Sequence, residues 1–144
     1  MKLLKSFDEY VQLGTIKKQA KDASRAKSLI KEAERAFISI NEILEKIGIN
    51  DNNSNIIIKD SYDIIMQLIR AKLFLNGFKS VGEGSHEAEI SYLKELKFKD
   101  TEIQFLNQLR YFRNGIAYYG KSFDKEYAEK VVKFLEIMYS KLSP

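Results

Sequence analysis

Two arginines, an amide and a phenol crowd into one short stretch of the chain: Arg110, Arg113, Asn114 and Tyr118. On a helix Arg110, Asn114 and Tyr118 follow one another in i, i+4 steps along one side, with Arg113 and Ala117 beside them. Guanidinium groups offer fixed forks of donors to phosphate oxygens, and neighbouring rings can stack a base. One reading is therefore an anion site for RNA or a nucleotide. The other is a solvated or dimer-facing helix side, where an exposed arginine pair contributes little. Composition does not choose between them.

A second polar row, Asp63, Gln67 and Arg70, is spaced i, i+4, i+7 on a segment that is otherwise apolar nearly all round. Polar groups on a buried helix need partners, so this row is expected to face the same cleft as Arg113. His86 is the only histidine. Its place after Ser85, at a helix start that follows a glycine loop, reads as capping or packing. Glu83 and His86 have the Glu-x-x-His spacing of di-iron bundles, but there is no second copy, and no metal is expected. Gly82-Glu83-Gly84 lacks the strand and further glycine of a dinucleotide loop, and no phosphate-loop lysine motif is present. One histidine assembles no Ser-His-Asp order. The absence of cysteine removes disulfides, thiolate zinc sites and thiol nucleophiles together. No cofactor is expected.

The elements that carry these residues read as helices. Gly14, Gly48, Gly77 and Gly120 each follow a stretch of helical periodicity, where a left-handed residue closes a helix. A first helix is expected over about Leu3 to Leu13. In the second, Ala26, Ile30, Ala33, Phe37, Ile40, Leu44 and Ile47 alternate steps of four and three and form its buried stripe. The run Asn50 to Asn55 reads as a loop ending in a cap. A central third helix follows from about Ile56 to Asn76, and a short one from about Ser85 to Leu96. The fifth runs from an Asp100 cap to Tyr119, with Phe105, Leu109, Phe112, Ile116 and Tyr119 as its core stripe, and the sixth from a Ser122 or Asp124 cap to about Leu142. No stretch alternates with a period of two. The fold class expected is all-α: one up-and-down bundle over residues 1–144, with a four-helix core and shorter additional helices.

Charged residues make up 31% of the chain and apolar ones 44%, which is enough to offset the entropy of ordering one compact core. Net charge is +4 and the isoelectric point about 9.1, a mild bias towards a polyanionic partner. The first residues are interrupted by charge too early for a signal peptide, and the apolar stretch Ile64 to Leu75 is too short and too polar to span a bilayer. Together with the lack of cysteine, this makes a cytoplasmic chain with no membrane partner the expectation.

The run Leu109-Arg110-Tyr111-Phe112-Arg113-Asn114-Gly115-Ile116-Ala117-Tyr118-Tyr119-Gly120 resembles the signature of the HEPN superfamily (higher eukaryotes and prokaryotes nucleotide-binding): an arginine, often a polar residue after it, a few variable residues and a histidine. Arg113 and Asn114 match. The segment from Ser61-Tyr62-Asp63 to Gly77-Phe78, then Ser85-His86-Glu87-Ala88, is similar to the helix and connector that precede the signature in prokaryotic members, as is Leu13-Gly14-Thr15-Ile16-Lys17-Lys18 before a long helix. The histidine's position is held by Tyr118.

The resemblance implies a homodimer that brings two signatures into one cleft, with RNA or a nucleotide as ligand. Arg113 would hold the phosphate, Asn114 orient it and Tyr118 donate a hydrogen bond or proton. Arg110, Tyr119 and Arg70 would add further binding groups, with Asp63 and Gln67 in support. Family nucleases cut RNA without metal by attack of the ribose 2′-hydroxyl. Tyrosine, with an ordinary pKa of about 10, is a poor base at neutral pH. The chemistry implied is thus a weakened metal-independent endoribonuclease of the toxin kind, or a dimeric binding and assembly module without turnover. A minimal nucleotidyltransferase is the partner protein expected for either.

Overall fold

The computed structural model describes residues 3–144, which form six helices and one two-stranded sheet. Helix α1 (Phe7–Leu13) opens on a capping box: the Ser6 hydroxyl accepts from the Glu9 amide while the Glu9 carboxylate reaches back to the Ser6 amide. It starts at Phe7 rather than Leu3 because this box satisfies the first turn there. Strand β1 (Ile16–Lys18) follows, then α2 (Ala23–Lys46), α3 (Ser54–Leu75), strand β2 (Phe78–Ser80), α4 (Ser85–Glu95), α5 (Asp100–Tyr119) and α6 (Lys125–Leu142). All four predicted helix-closing glycines have positive φ.

Helix α3 is the axis of the fold. Thirteen of its residues are buried, and it packs chiefly on α2 and α6, with α4 and α5 along a further side. Ile58, Ile65, Leu68 and Ile69 lie at its centre, against Ala33 and Ile40 of α2, Leu106 and Leu109 of α5, and Val131, Leu135 and Met138 of α6. Removing a fully enclosed aliphatic chain from such a core typically costs about 2–5 kcal/mol. The α2 stripe is buried or half-buried as expected, except Ile47, which ends the helix and stands exposed. In α5, Leu109 and Ile116 are buried and Phe105 and Phe112 half-buried. Tyr119 is 79% exposed, because the helix stops there at the left-handed Gly120 before the stripe meets another element. The fifth helix is capped by Lys99, with Asp100 already inside it, and Asp124 rather than Ser122 caps α6.

The two strands are not legible in the sequence, since three residues are too few to show alternation. They pair antiparallel, Ile16 with Ser80, Lys17 with Lys79 and Lys18 with Phe78. The pairing continues past the sheet through Gln19 N to Gly77 O (2.9 Å) and Asp22 N to Phe74 O (3.0 Å), which straps the start of α2 to the end of α3. Gly77 is doubly required there. Its φ is +81°, and a Cβ would stand 2.9 Å from the Gln19 carbonyl oxygen.

No helix of the described residues is long and apolar enough to cross a membrane.

Candidate functional site

A layer of polar side chains lies where α3, α4 and α5 meet. Its deepest member is Glu89, 1% exposed within the apolar run Ala88 to Leu93 of α4. A carboxylate so placed requires a cation. Arg70 supplies it in a two-pronged pair, Nε to Oε2 at 2.8 Å and Nη2 to Oε1 at 2.9 Å, and the Ser80 hydroxyl of β2 donates to the same carboxylate at 2.6 Å. That bond holds the Arg70 guanidinium above its ordinary pKa. The edge of Arg70 suited to gripping a phosphate faces Glu89, so this residue, expected among the RNA-binding groups, joins α3 to α4 and to the sheet.

Above this pair, the buried Tyr62 hydroxyl lies 2.9 Å from His86 Nδ1. Of the two roles its position in the chain suggested, capping or packing, His86 takes the second: Gly84 stands at the cap of α4, and the imidazole packs at the interface with α3. Burial pushes the Tyr62 phenol up, against the pull of Arg110 and Arg113. Burial likewise pushes the His86 pKa down; Arg70 and Arg113 act in the same direction, while Glu89 and Asp63 oppose them. The imidazole is thus kept neutral. With the ring proton on Nε2, the phenol O–H donates to Nδ1.

The guanidinium of Arg113 lies 5.9 Å from the centre of the same Tyr62 ring. One of its nitrogens, Nη2, is 3.3 Å from Asp63 Oδ1, with Arg113 22% and Asp63 43% exposed, while its buried Nε meets no acceptor among the described residues. The arginine that matches the HEPN signature is therefore engaged by a carboxylate of its own chain. A pair this open to solvent is worth about 0–1 kcal/mol, weak enough for a phosphate to compete with it. Arg110 is held more completely: Nη1 lies 3.2 Å from Glu87 of α4, and Nε donates to Asn107 Oδ1 at 3.1 Å. Of the expected row on α3, Asp63 and Arg70 meet α5 and α4 respectively, and Gln67 Oε1 is buried without a hydrogen-bond partner.

The rest of the expected constellation lies elsewhere. Asn114, Tyr118 and Tyr119 line a cleft of about 700 Å³ at the end of α5, together with Tyr111, Phe112, Gly115 and the connector residues Lys121 to Phe123. Arg113 does not line it: its guanidinium lies against Tyr62 and Asp63 of α3 instead. Tyr118 is 73% exposed. Asn55 at the start of α3 fixes the connector, its amide donating to Lys121 O and accepting from Phe123 N, each at 3.0 Å. The Lys121 stem folds against Gly115, where a Cβ would come within 3.2 Å of it. Gly115 thus serves close approach.

No family model, curated protein or solved structure matches this chain.

Chemically the molecule thus offers two places: an aromatic cleft bearing one amide and one lysine, and a polar interface in which a neutral imidazole neighbours a half-exposed arginine. Among the described residues, no group of three histidines or carboxylates is placed to hold a metal ion. Sequence reasoning passed over Tyr62, Glu87, Glu89, Asn107 and Lys121. The carboxylate of Glu89 amid apolar neighbours was the one available signal, since an acid in such a run needs a cation from another helix.

Proposed function

We propose that this chain is a HEPN-like protein that binds RNA or a nucleotide at the end of α5, acting as a homodimer and binding without turnover. One observation carries the reading: Tyr118 and Tyr119, both largely exposed, border a cleft that also presents Asn114 and Lys121. Aromatic rings left uncovered beside a cation suit an unstacked base and its phosphate. The resemblance of Arg113 and Asn114 to the HEPN signature supports the same assignment. Tyr118 stands where a histidine would shuttle protons, and its distance from the Arg113 face favours retention of the ligand over its cleavage.

The test is fluorescence anisotropy with a labelled single-stranded oligoribonucleotide, comparing wild type with Tyr118→Ala. Loss of one stacking ring is expected to weaken binding by about 1–3 kcal/mol, roughly 5- to 150-fold. Equal affinity, or no binding by wild type, would remove the proposal.

A second reading is a weakened metal-independent endoribonuclease, and the specific observation in its favour is His86, hydrogen-bonded to Tyr62 beneath Arg113. Metal-free incubation with structured and unstructured RNA decides it. Cleavage by wild type that Arg113→Ala abolishes supports a nuclease; intact RNA in both dismisses it.

A further inference from the structure

The positive charge of this chain is concentrated in one place. Between residues 14 and 30 stand Lys17, Lys18, Lys21, Arg25 and Lys27 against a single carboxylate, Asp22. The local excess equals the +4 of the whole chain, so all the rest is electrically balanced. The fold adds a sixth cation by placing Lys79 directly across from Lys17 in the β1–β2 pair.

Two features of this region work against stability. Directly opposed residues of an antiparallel pair have their Cβ atoms about 4.5–5.5 Å apart on one face, and like charges there are destabilising. This sheet has only three residue pairs with which to bear that cost. The first turn of α2 contains no acid and does contain Arg25, with Lys27 close behind, at the end of a helix where the dipole disfavours cations. Asp22 caps that helix by accepting from the Arg25 amide. Among the described residues, none of the six cations makes an ion pair. Five are exposed and Lys79 is partly so.

They are also held on a defined support. The bonds from Gln19 to Gly77 and from Asp22 to Phe74 fasten the segment along the end of α3, and the Arg25 guanidinium lies 5.2 Å from the centre of the Phe74 ring. Unpaired cations gathered on a braced ribbon, in arrangements that weaken the fold, gain most from a polyanion that cancels their mutual repulsion. The six are five lysine point charges and one exposed arginine fork, which suits an evenly charged backbone rather than one recognised group.

We propose that the ribbon formed by β1, β2 and the start of α2 is a docking surface for the phosphodiester backbone of single-stranded RNA, acting through charge and independently of base identity. The proposal rests on the RNA-binding reading above and adds a second surface to it. It is tested with Lys17→Glu and Lys79→Glu, made separately and together, by thermal unfolding and by anisotropy with a labelled single-stranded oligoribonucleotide over a series of salt concentrations. Each single variant replaces a like-charge pair by an opposite one, so each raises Tm while binding RNA less tightly. The slope of log affinity against log salt becomes shallower by about 0.7 for each phosphate that the variant no longer neutralises. The double variant restores like charges, now acidic, and so forfeits the gain in Tm while binding RNA more weakly still.

If wild type binds RNA and Tyr118→Ala weakens it, but both lysine variants keep the affinity and slope of wild type, the ribbon does not touch RNA and the α5 cleft stands alone. If wild type binds no RNA at any salt concentration, the RNA reading itself fails and takes the ribbon with it. Displacement of the RNA from the ribbon by polyglutamate at equal charge concentration would overturn the preference for phosphate and indicate an acidic protein partner.

Discussion

Replacing Arg70 by leucine is the sharpest probe of the polar interface. The substitution keeps an aliphatic stem in place but strips from Glu89 two of its three donors, leaving only the Ser80 hydroxyl for a carboxylate that is 1% exposed. Removing one partner of a buried pair costs about 3–5 kcal/mol, because the surviving charge stays desolvated. Against the roughly 5–15 kcal/mol that holds an ordinary domain together, that is about a fifth of the total at the least. At about 2–4 °C per kcal/mol for a chain of this size, Tm falls by roughly 6–20 °C. Urea unfolding followed by circular dichroism measures the loss directly. Arg70→Leu with Glu89→Leu removes both charges and recovers most of it, since two apolar side chains fill the site without an orphaned carboxylate. A loss below about 1 kcal/mol, or a double variant as weak as the single one, would refute the account of Arg70 as the counter-ion that joins three elements.

His86 is the only imidazole in the chain, so its two ring nitrogens give the only histidine ring signals in nitrogen NMR. It is expected as the Nε2–H tautomer with a pKa below its ordinary 6.5, and Tyr62→Phe should mix the tautomers. Between the lowered folded value and 6.5, the unfolded chain binds a proton that the folded chain refuses, so stability rises with pH through that window and is lost on acidification. His86→Asn should flatten this part of the pH profile; an unchanged profile would mean that the imidazole is solvated. Gly77→Ala should destabilise the fold by more than the roughly 1–2 kcal/mol of a left-handed residue alone, since the new Cβ also presses on the Gln19 carbonyl. Amide hydrogen exchange at Gln19 and Asp22 should accelerate in that variant, and unchanged protection would contradict the bracing role given to this turn.

The helices were readable because steps of three and four are long-range patterns: α2 and α3 each display several turns of them, and glycines with positive φ close four of the segments. The strands were hidden because the partner that defines a three-residue strand, Ser80 for Ile16, is sixty-four positions away and leaves no local trace. The α5 constellation was half visible. Its residue types were apparent, but a helix turns by about 100° per residue, so adjacent residues such as Arg113 and Asn114 serve different surfaces. Which surface each one serves depends on where α4 and the α5–α6 connector pack. His86 was left between capping and packing for the same reason: its neighbours in the chain allowed either, and the partner that decides for packing, Tyr62, comes from another helix. Tyr119 fitted the apolar stripe well, yet it lies beyond the last point at which α5 has anything to pack on.

The single Asn55 side chain meets the connector through both faces of its amide, donating to one peptide group and accepting from another two residues on, much as a neighbouring strand would. One rotation of that amide would release both bonds together, so the pair is expected to open as a unit. Exchange of the Phe123 amide proton then times the opening of the rim beside Tyr118.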